Sequence, residues 1–139
     1  MKLMIVDDSN IIRSRIARVT MQASLQGLEI CGFARNGKEA VDLCKRKAPE
    51  IATMDLTMPG MNGIECIEAL LELAPRMRIL VVSALGDKAS AIEALKRGAH
   101  GFLHKPFTDA RLASALMELM DGLELKHGRH DRRGVEDFY

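Results

Sequence analysis

With 139 residues, 47% hydrophobic and 28% charged, the chain has room for one globular domain and a short appendage, which excludes two full domains and disorder throughout. Twenty basic residues against 19 acidic ones leave a formal net charge of +1, so no bulk field gathers nucleic acid or an anionic membrane and any partner is recognised locally. No apolar stretch approaches the ~20 residues that span a bilayer, and no basic-then-apolar segment opens the chain, which predicts a soluble, cytoplasmic protein without membrane insertion.

Along the chain, five short β-type runs are predicted at Leu3-Met4-Ile5-Val6, Glu29-Ile30-Cys31-Gly32-Phe33, Ile51-Ala52-Thr53-Met54, Ile79-Leu80-Val81-Val82 and Gly101-Phe102-Leu103. The first and fourth are apolar at every position, as strands are when helices cover both faces of a parallel sheet. Between the runs the apolar spacing becomes helical: Ile12, Ile16, Val19 and Ala23; Ala40, Val41 and Cys44; Ile64, Ile67, Leu71 and Ala74; Ala91, Ile92 and Leu95; Leu112, Ala115, Leu116, Leu119 and Leu123. Asn36-Gly37, Pro49, Pro59-Gly60, Asn62-Gly63, Pro75, Gly86-Asp87, Gly98 and Lys105-Pro106 punctuate the segments. Strict βα alternation predicts an α/β fold, a five-stranded parallel doubly wound sheet flanked by five helices over residues 1–125. Residues 126–139 are polar and charged apart from a closing Phe138-Tyr139 and form a C-terminal tail. Cys31, Cys44 and Cys66 are odd in number and lack a CxxC spacing, so they are expected as reduced thiols filling the core.

Ligands of an open parallel sheet bind at the carboxyl ends of its strands, beside the point where strand order reverses. Here the first strand ends in Asp7-Asp8, the third in Asp55 and the fourth in Ser83, and Lys105-Pro106 follows the fifth. Each residue alone has a plain structural reading: Asp8 or Ser9 as a helix cap, Asp55 as the opening of a turn, Ser83 as a loop cap, Lys105 as a solvated charge. Together they ask for more, because three carboxylates brought within a few ångströms repel by several kcal/mol at an intermediate dielectric. Hard carboxylate oxygens with backbone carbonyls and water describe a Mg2+ site, and Lys105 adds a fixed positive charge. A metal-neutralised carboxylate at a strand end is a nucleophile suited to phosphorus, so the combination reads as aspartyl phosphorylation.

The runs Ile5-Val6-Asp7-Asp8-Ser9, Asp55-Leu56-Thr57-Met58-Pro59-Gly60-Met61-Asn62-Gly63, Val82-Ser83-Ala84 and Phe102-Leu103-His104-Lys105-Pro106-Phe107, in this order and spacing, closely resemble those of bacterial two-component response-regulator receiver domains of the CheY-like kind. The resemblance implies a flavodoxin-like fold and a signalling switch rather than an enzyme. It makes Asp55 the acceptor of a phosphoryl group from a sensor histidine kinase or a histidine phosphotransfer protein. It also implies that Asp8, Asp55 and the backbone carbonyl of Thr57 bind Mg2+ directly, that Asp7 acts through water, and that Lys105 pairs with the phosphoryl group. Ser83 and the aromatic Phe102 would be the switch pair, Ser83 swinging toward the phosphate and Phe102 following from an outward to an inward rotamer. The Lys105-Pro106 peptide is usually cis in this family. The output would be a change of the surface of the fourth helix, fifth strand and fifth helix, around Ser90, Phe102, His104, Thr108 and Arg111, read by an output protein or by a second copy of the chain.

Two positions depart from the pattern. Phe102 stands where chemotaxis regulators usually carry tyrosine, so a partner that needs a phenolic hydrogen bond finds none. Thr57 and Leu85, expected beside the incoming water, lack the amide or acid that many relatives place at one of the two. Of rival readings, a flavodoxin-like cofactor binder is disfavoured by the two aspartates in its phosphate loop. A haloacid-dehalogenase-type phosphatase is disfavoured by Thr57 where its second acid belongs. Neither a Walker loop nor GxGxxG occurs. His100 and His104 are too far apart along a strand to share a metal, and His127 and His130 are expected to be solvated. Met117 and Met120 are fillers or partner contacts, and Lys45-Arg46-Lys47 ends a helix favourably. A stand-alone regulator, with chemotaxis as one setting, is the expectation; a receiver cut from a larger regulator with a DNA-binding or enzymatic output is the alternative.

Overall fold

The computed structural model describes residues 1–58, 60, 62–84 and 88–125, with side chains through residue 122 apart from the gaps. Pro59, Met61, Leu85, the Gly86-Asp87 pair and the tail from residue 126 therefore lie outside the described residues, as does the side chain of Leu123. Five strands, β1 (Lys2–Val6), β2 (Glu29–Ala34), β3 (Ile51–Asp55), β4 (Arg78–Ala84) and β5 (Gly101–Lys105), alternate with five helices, α1 (Asn10–Val19), α2 (Gly37–Lys47), α3 (Gly63–Leu73), α4 (Lys88–Lys96) and α5 (Asp109–Leu125). All pairs are parallel, in the order β2-β1-β3-β4-β5, the flavodoxin-like order. The chain leaves β1 for one edge, returns, and builds the rest of the sheet on the other side, so the topological switch lies between β1 and β3.

Strands β1, β3, β4 and β5 each send alternate side chains to opposite layers. Met4, Val6, Ala52, Met54, Ile79, Val81 and Phe102 meet α2, α3 and α4, whereas Leu3, Ile5, Ile51, Leu80, Val82 and Leu103 meet α1 and α5. This two-sided burial is why β1 and β4 could be read from unbroken apolar runs. Among the described residues no helix is long and apolar enough to cross a membrane.

The helices start where short polar side chains satisfy their first N–H groups. Ser9 Oγ accepts from Ile12 N at 3.2 Å, Asn36 Oδ1 from Glu39 N at 2.9 Å, Asn62 Oδ1 from Glu65 N at 2.9 Å and Thr108 Oγ1 from Arg111 N at 3.1 Å. At Gly63 a Cβ would stand 2.5 Å from the Leu56 backbone, so the loop after β3 closes this tightly only on glycine. Lys45, Arg46 and Lys47 do end α2, exposed, where cations suit the helix dipole.

Three expectations about the helices need correction. Ala23 is not the fourth member of the α1 stripe: α1 ends at Val19, and Ala23 is exposed on a separate 3-10 turn, Ala23–Leu25, whose Leu25 is buried instead. Ile92 faces solvent at 41% exposure, because α4 turns the small Ala91 and Ala94 to the sheet. The α2 stripe also includes Leu43, which packs where a Cβ on Gly32 would collide with it. The cysteines are free thiols as expected; Cys44 and Cys66 are buried and Cys31 is half-buried. Burial pushes the Cys66 thiol up to about 12, which leaves it protonated and inert.

Candidate functional site

The carboxyl ends of β1, β3, β4 and β5 bring Asp7, Asp8, Asp55, Ser83 and Lys105 to one rim of the sheet. Carboxylate oxygens of Asp7, Asp8 and Asp55 all lie within 4.8 Å of one another. Asp7 and Asp55 are nearly fully buried, at 1% and 2% exposure, and Asp8 is open to solvent. Lys105 enters from β5 and places Nζ 3.1 Å from Asp7 Oδ2 and 3.7 Å from Asp55 Oδ1.

The two buried carboxylates are held differently. Asp7 Oδ1 accepts from Ser9 N at 2.9 Å, whereas its Oδ2 has the Lys105 ion pair but no aligned hydrogen bond. Asp55 Oδ1 accepts from Thr57 N at 3.1 Å and Thr57 Oγ1 at 3.2 Å. Burial pushes the Asp55 carboxyl above its ordinary value and the Asp7 charge adds to this, against the opposing pull of the Thr57 N–H and Lys105.

Three carboxylates face one ammonium in this cluster, an excess of negative charge that one divalent cation would neutralise. Two unit charges 4.8 Å apart repel by about 3 kcal/mol at an effective dielectric near 20, so the cluster gains from such an ion. The donors are hard oxygens only, and Asp7 Oδ2 is buried without an aligned donor. This donor set fits Mg2+.

Ser83 is buried on β4 beside His104 of β5, and among the described residues its hydroxyl makes a long, 3.5 Å bond to the Ala84 carbonyl. Phe102 is inward, at 1% exposure, packed in the layer of α2, α3 and α4 and in edge contact with the His104 ring at 4.5 Å. The Lys105-Pro106 peptide is cis. Thr57 is exposed at the mouth of the site, while Leu85, the other residue expected there, lies outside the described residues. His100 lies well away from this rim, just before β5, where its Nδ1 accepts from Ile79 N at 3.1 Å.

The sequence reading missed two residues of α1. Arg13 Nη1 donates to the Asp7 carbonyl at 2.7 Å, and Arg15 Nη2 donates to the Phe107 carbonyl at 2.6 Å. Their partners lie in loops after two different strands, so no local pattern announces them.

A parallel sheet of this order, with an aspartate cluster at its switch point and a lysine reaching it from β5, defines the class of doubly wound domains with an acidic site at the carboxyl rim. A family model described as the response regulator receiver domain matches residues 3–117, and the chain belongs to this family. Among its relatives is "Chemotaxis protein CheY" of Thermotoga maritima, 43% identical over 115 residues that cover 83% of this chain and 93% of the relative. A longer relative is "Transcriptional regulatory protein LnrK" of Bacillus subtilis, 32% identical over 121 residues, 87% of this chain and 54% of that protein. Among solved structures, a CheX-CheY-BeF3-Mg2+ complex from Borrelia burgdorferi superposes with a TM-score of 0.78 at 30% identity, covering 86% of this chain and 89% of that one. The domain is a phosphorylation switch rather than a classical enzyme, and its aspartates are poised to coordinate Mg2+.

Proposed function

We propose that residues 1–125 form a receiver unit in which Asp55 accepts a phosphoryl group from the phosphohistidine of a sensor kinase or histidine phosphotransfer protein. The observation that carries this reading is the buried Asp55 carboxylate at the end of β3, beside the switch point, with Lys105 Nζ 3.7 Å from its Oδ1. An Asp55 oxygen forms the new O–P bond, the P–N bond to the donor imidazole breaks, and the released imidazole takes a proton from water. Lys105 pairs with an incoming phosphoryl oxygen as it leaves Asp7, and the Thr57 N–H keeps the carboxylate oriented. Asp8, Asp55 and the Thr57 carbonyl would hold Mg2+, with Asp7 acting through water; bound there, the ion offsets the charge on the phosphoryl oxygens. Thr57 supplies only a short hydroxyl to a water attacking the phosphoaspartate, which favours a slow loss of the phosphoryl group.

Phosphorylation replaces the single carboxylate charge of Asp55 with a phosphoryl group of about −1.5 to −2, placed further out along the side chain toward Ser83. The weakly held Ser83 hydroxyl turns toward it. Since Phe102 already occupies the inward space, the shift stabilises an inward ring against outward excursions rather than creating it. The output surface is α4, β5 and α5, including Ser90, His104, Thr108 and Arg111, and its reader is an output protein or a second copy of the chain.

The test is labelling by acetyl phosphate with Mg2+. Wild type is expected to label and Asp55→Asn to lose labelling; labelling of that variant at the wild-type rate rejects Asp55 as acceptor. A stand-alone chemotaxis-type regulator is the reading favoured by a relative covered over 93% of its length. A receiver of a longer transcriptional regulator is the second, favoured by the relative covered over 54%.

A further inference from the structure

We infer that Arg15 is a positioning residue for Lys105, acting through the segment that follows β5. This rests on the phosphoryl-transfer reading of the site. Arg15 leaves α1 and engages three features of that segment at once. Its Nη2 donates to the Phe107 carbonyl at 2.6 Å, its Nε meets Asp109 Oδ1 at 3.2 Å, and its guanidinium carbon lies 4.7 Å from the centroid of the Phe107 ring. An exposed ion pair alone holds little. Here, however, the Phe107 ring is sunk in the core with Leu103, Leu112 and Leu116, and the guanidinium of Arg15, whose side chain is only 32% exposed, stacks against it.

Lys105 precedes this anchor by two residues, and its own backbone is fixed on the other side by pairing with Ala84 of β4. The ammonium thus reaches Asp7 and Asp55 from a short segment pinned at both ends. The same helix pins the opposite side of the site, because Arg13 Nη1 donates to the Asp7 carbonyl at 2.7 Å. One rigid element therefore sets the spacing between the lysine and the carboxylates it serves. A planar fork that binds a carbonyl and a carboxylate together while stacking on a ring is work for arginine and not for lysine.

A double-mutant cycle with Lys105 tests the inference. Arg15→Ala is expected to slow Mg2+-dependent labelling of Asp55 by acetyl phosphate about 3- to 10-fold, as small misplacements of a charge at the reacting group do, and Arg15→Lys is expected to recover little of it. In a Lys105→Ala background, Arg15→Ala should change the residual rate by less than about 1.5-fold, because the residue through which it acts is gone. The 15Nζ resonance of Lys105 should move in Arg15→Ala. Asp109→Ala, which removes the acceptor of Arg15 Nε, should give a smaller effect in the same direction and serves if Arg15→Ala does not fold. Equal slowing in both backgrounds, wild-type labelling in Arg15→Ala, or an unmoved Lys105 resonance overturns the inference. Retained labelling in Asp55→Asn instead overturns the phosphoryl-transfer reading beneath it, so the two failures are distinct.

Discussion

Helices α4 and α5 cover β4 and β5 from opposite faces and are anchored by different means. The 17 residues of α5 press Leu112, Leu116 and Leu119 into the core, with Ala113 and Ala115 between them. The nine residues of α4 bury only Ala91 and Ala94 and leave Leu95 half-buried and Ile92 outside. The two buried alanines of each helix cancel, and three buried leucines at about 2 kcal/mol each, less about 1 kcal/mol for half-buried Leu95, leave α5 ahead by roughly 5 kcal/mol. Polar ties differ likewise: Asp109 at the start of α5 takes both Arg15 and Arg18 of α1, while α4 is tied to α3 through Arg97, in the turn just past its end, which pairs with Glu68 of α3 and with Glu93 of α4. The flank that holds Lys105 is firm and the flank beside Ser83 is loosely held. A site that must bind phosphate in a fixed geometry and then report it by movement needs this asymmetry.

The largest expected effect comes from breaking the firm side. Leu116→Ala should cost about 3 kcal/mol in urea unfolding, against about 1 kcal/mol for Ala94→Gly in α4. Comparable losses would dissolve the contrast.

Next in size, Asp55→Asn should gain about 1 kcal/mol at neutral pH by removing a buried charge beside Asp7. The sign follows from the raised folded-state value of Asp55. A carboxyl with a higher pKa folded than unfolded favours the folded state most below its unfolded pKa and loses that advantage as pH rises through the folded one. The gain from Asn should therefore be full above the folded value and vanish below the unfolded one. Urea melts from acid to neutral pH measure it, and a gain that grows on acidification would contradict the assignment of the repulsion.

The smallest effect on global stability is expected at Arg97→Ala, since its partners are exposed acids. Its signature should be local: faster amide exchange across α4 with α5 unchanged. Equal acceleration in the two helices would show that α4 is not independently held.

The pieces that could be read in the chain were those whose signal is local. Unbroken apolar runs marked β1 and β4, and Asp7, Asp8, Asp55, Ser83 and Lys105 stood out because they close or directly follow apolar runs whose ends were recognisable. Where a helix buries alanines the stripe lost contrast, so Ile92 looked like core and proved to be surface. Ala23 was misplaced for a similar reason: helical spacing continued past Val19, although the backbone had already turned into the 3-10 segment that buries Leu25.

What the sequence by itself determined is the alternation of strands and helices, the two-sided burial of the sheet and the identity of the acidic residues at its rim, because each depends on side-chain chemistry at fixed local spacing. Tertiary structure alone decided the strand order, the inward packing of Phe102 and the grips of Arg13 on Asp7 and of Arg15 on Phe107 and Asp109. The Arg15 fork joins residues more than ninety positions apart, and contacts of that kind exist only once the packed layers of the sheet have brought α1 and the end of β5 together.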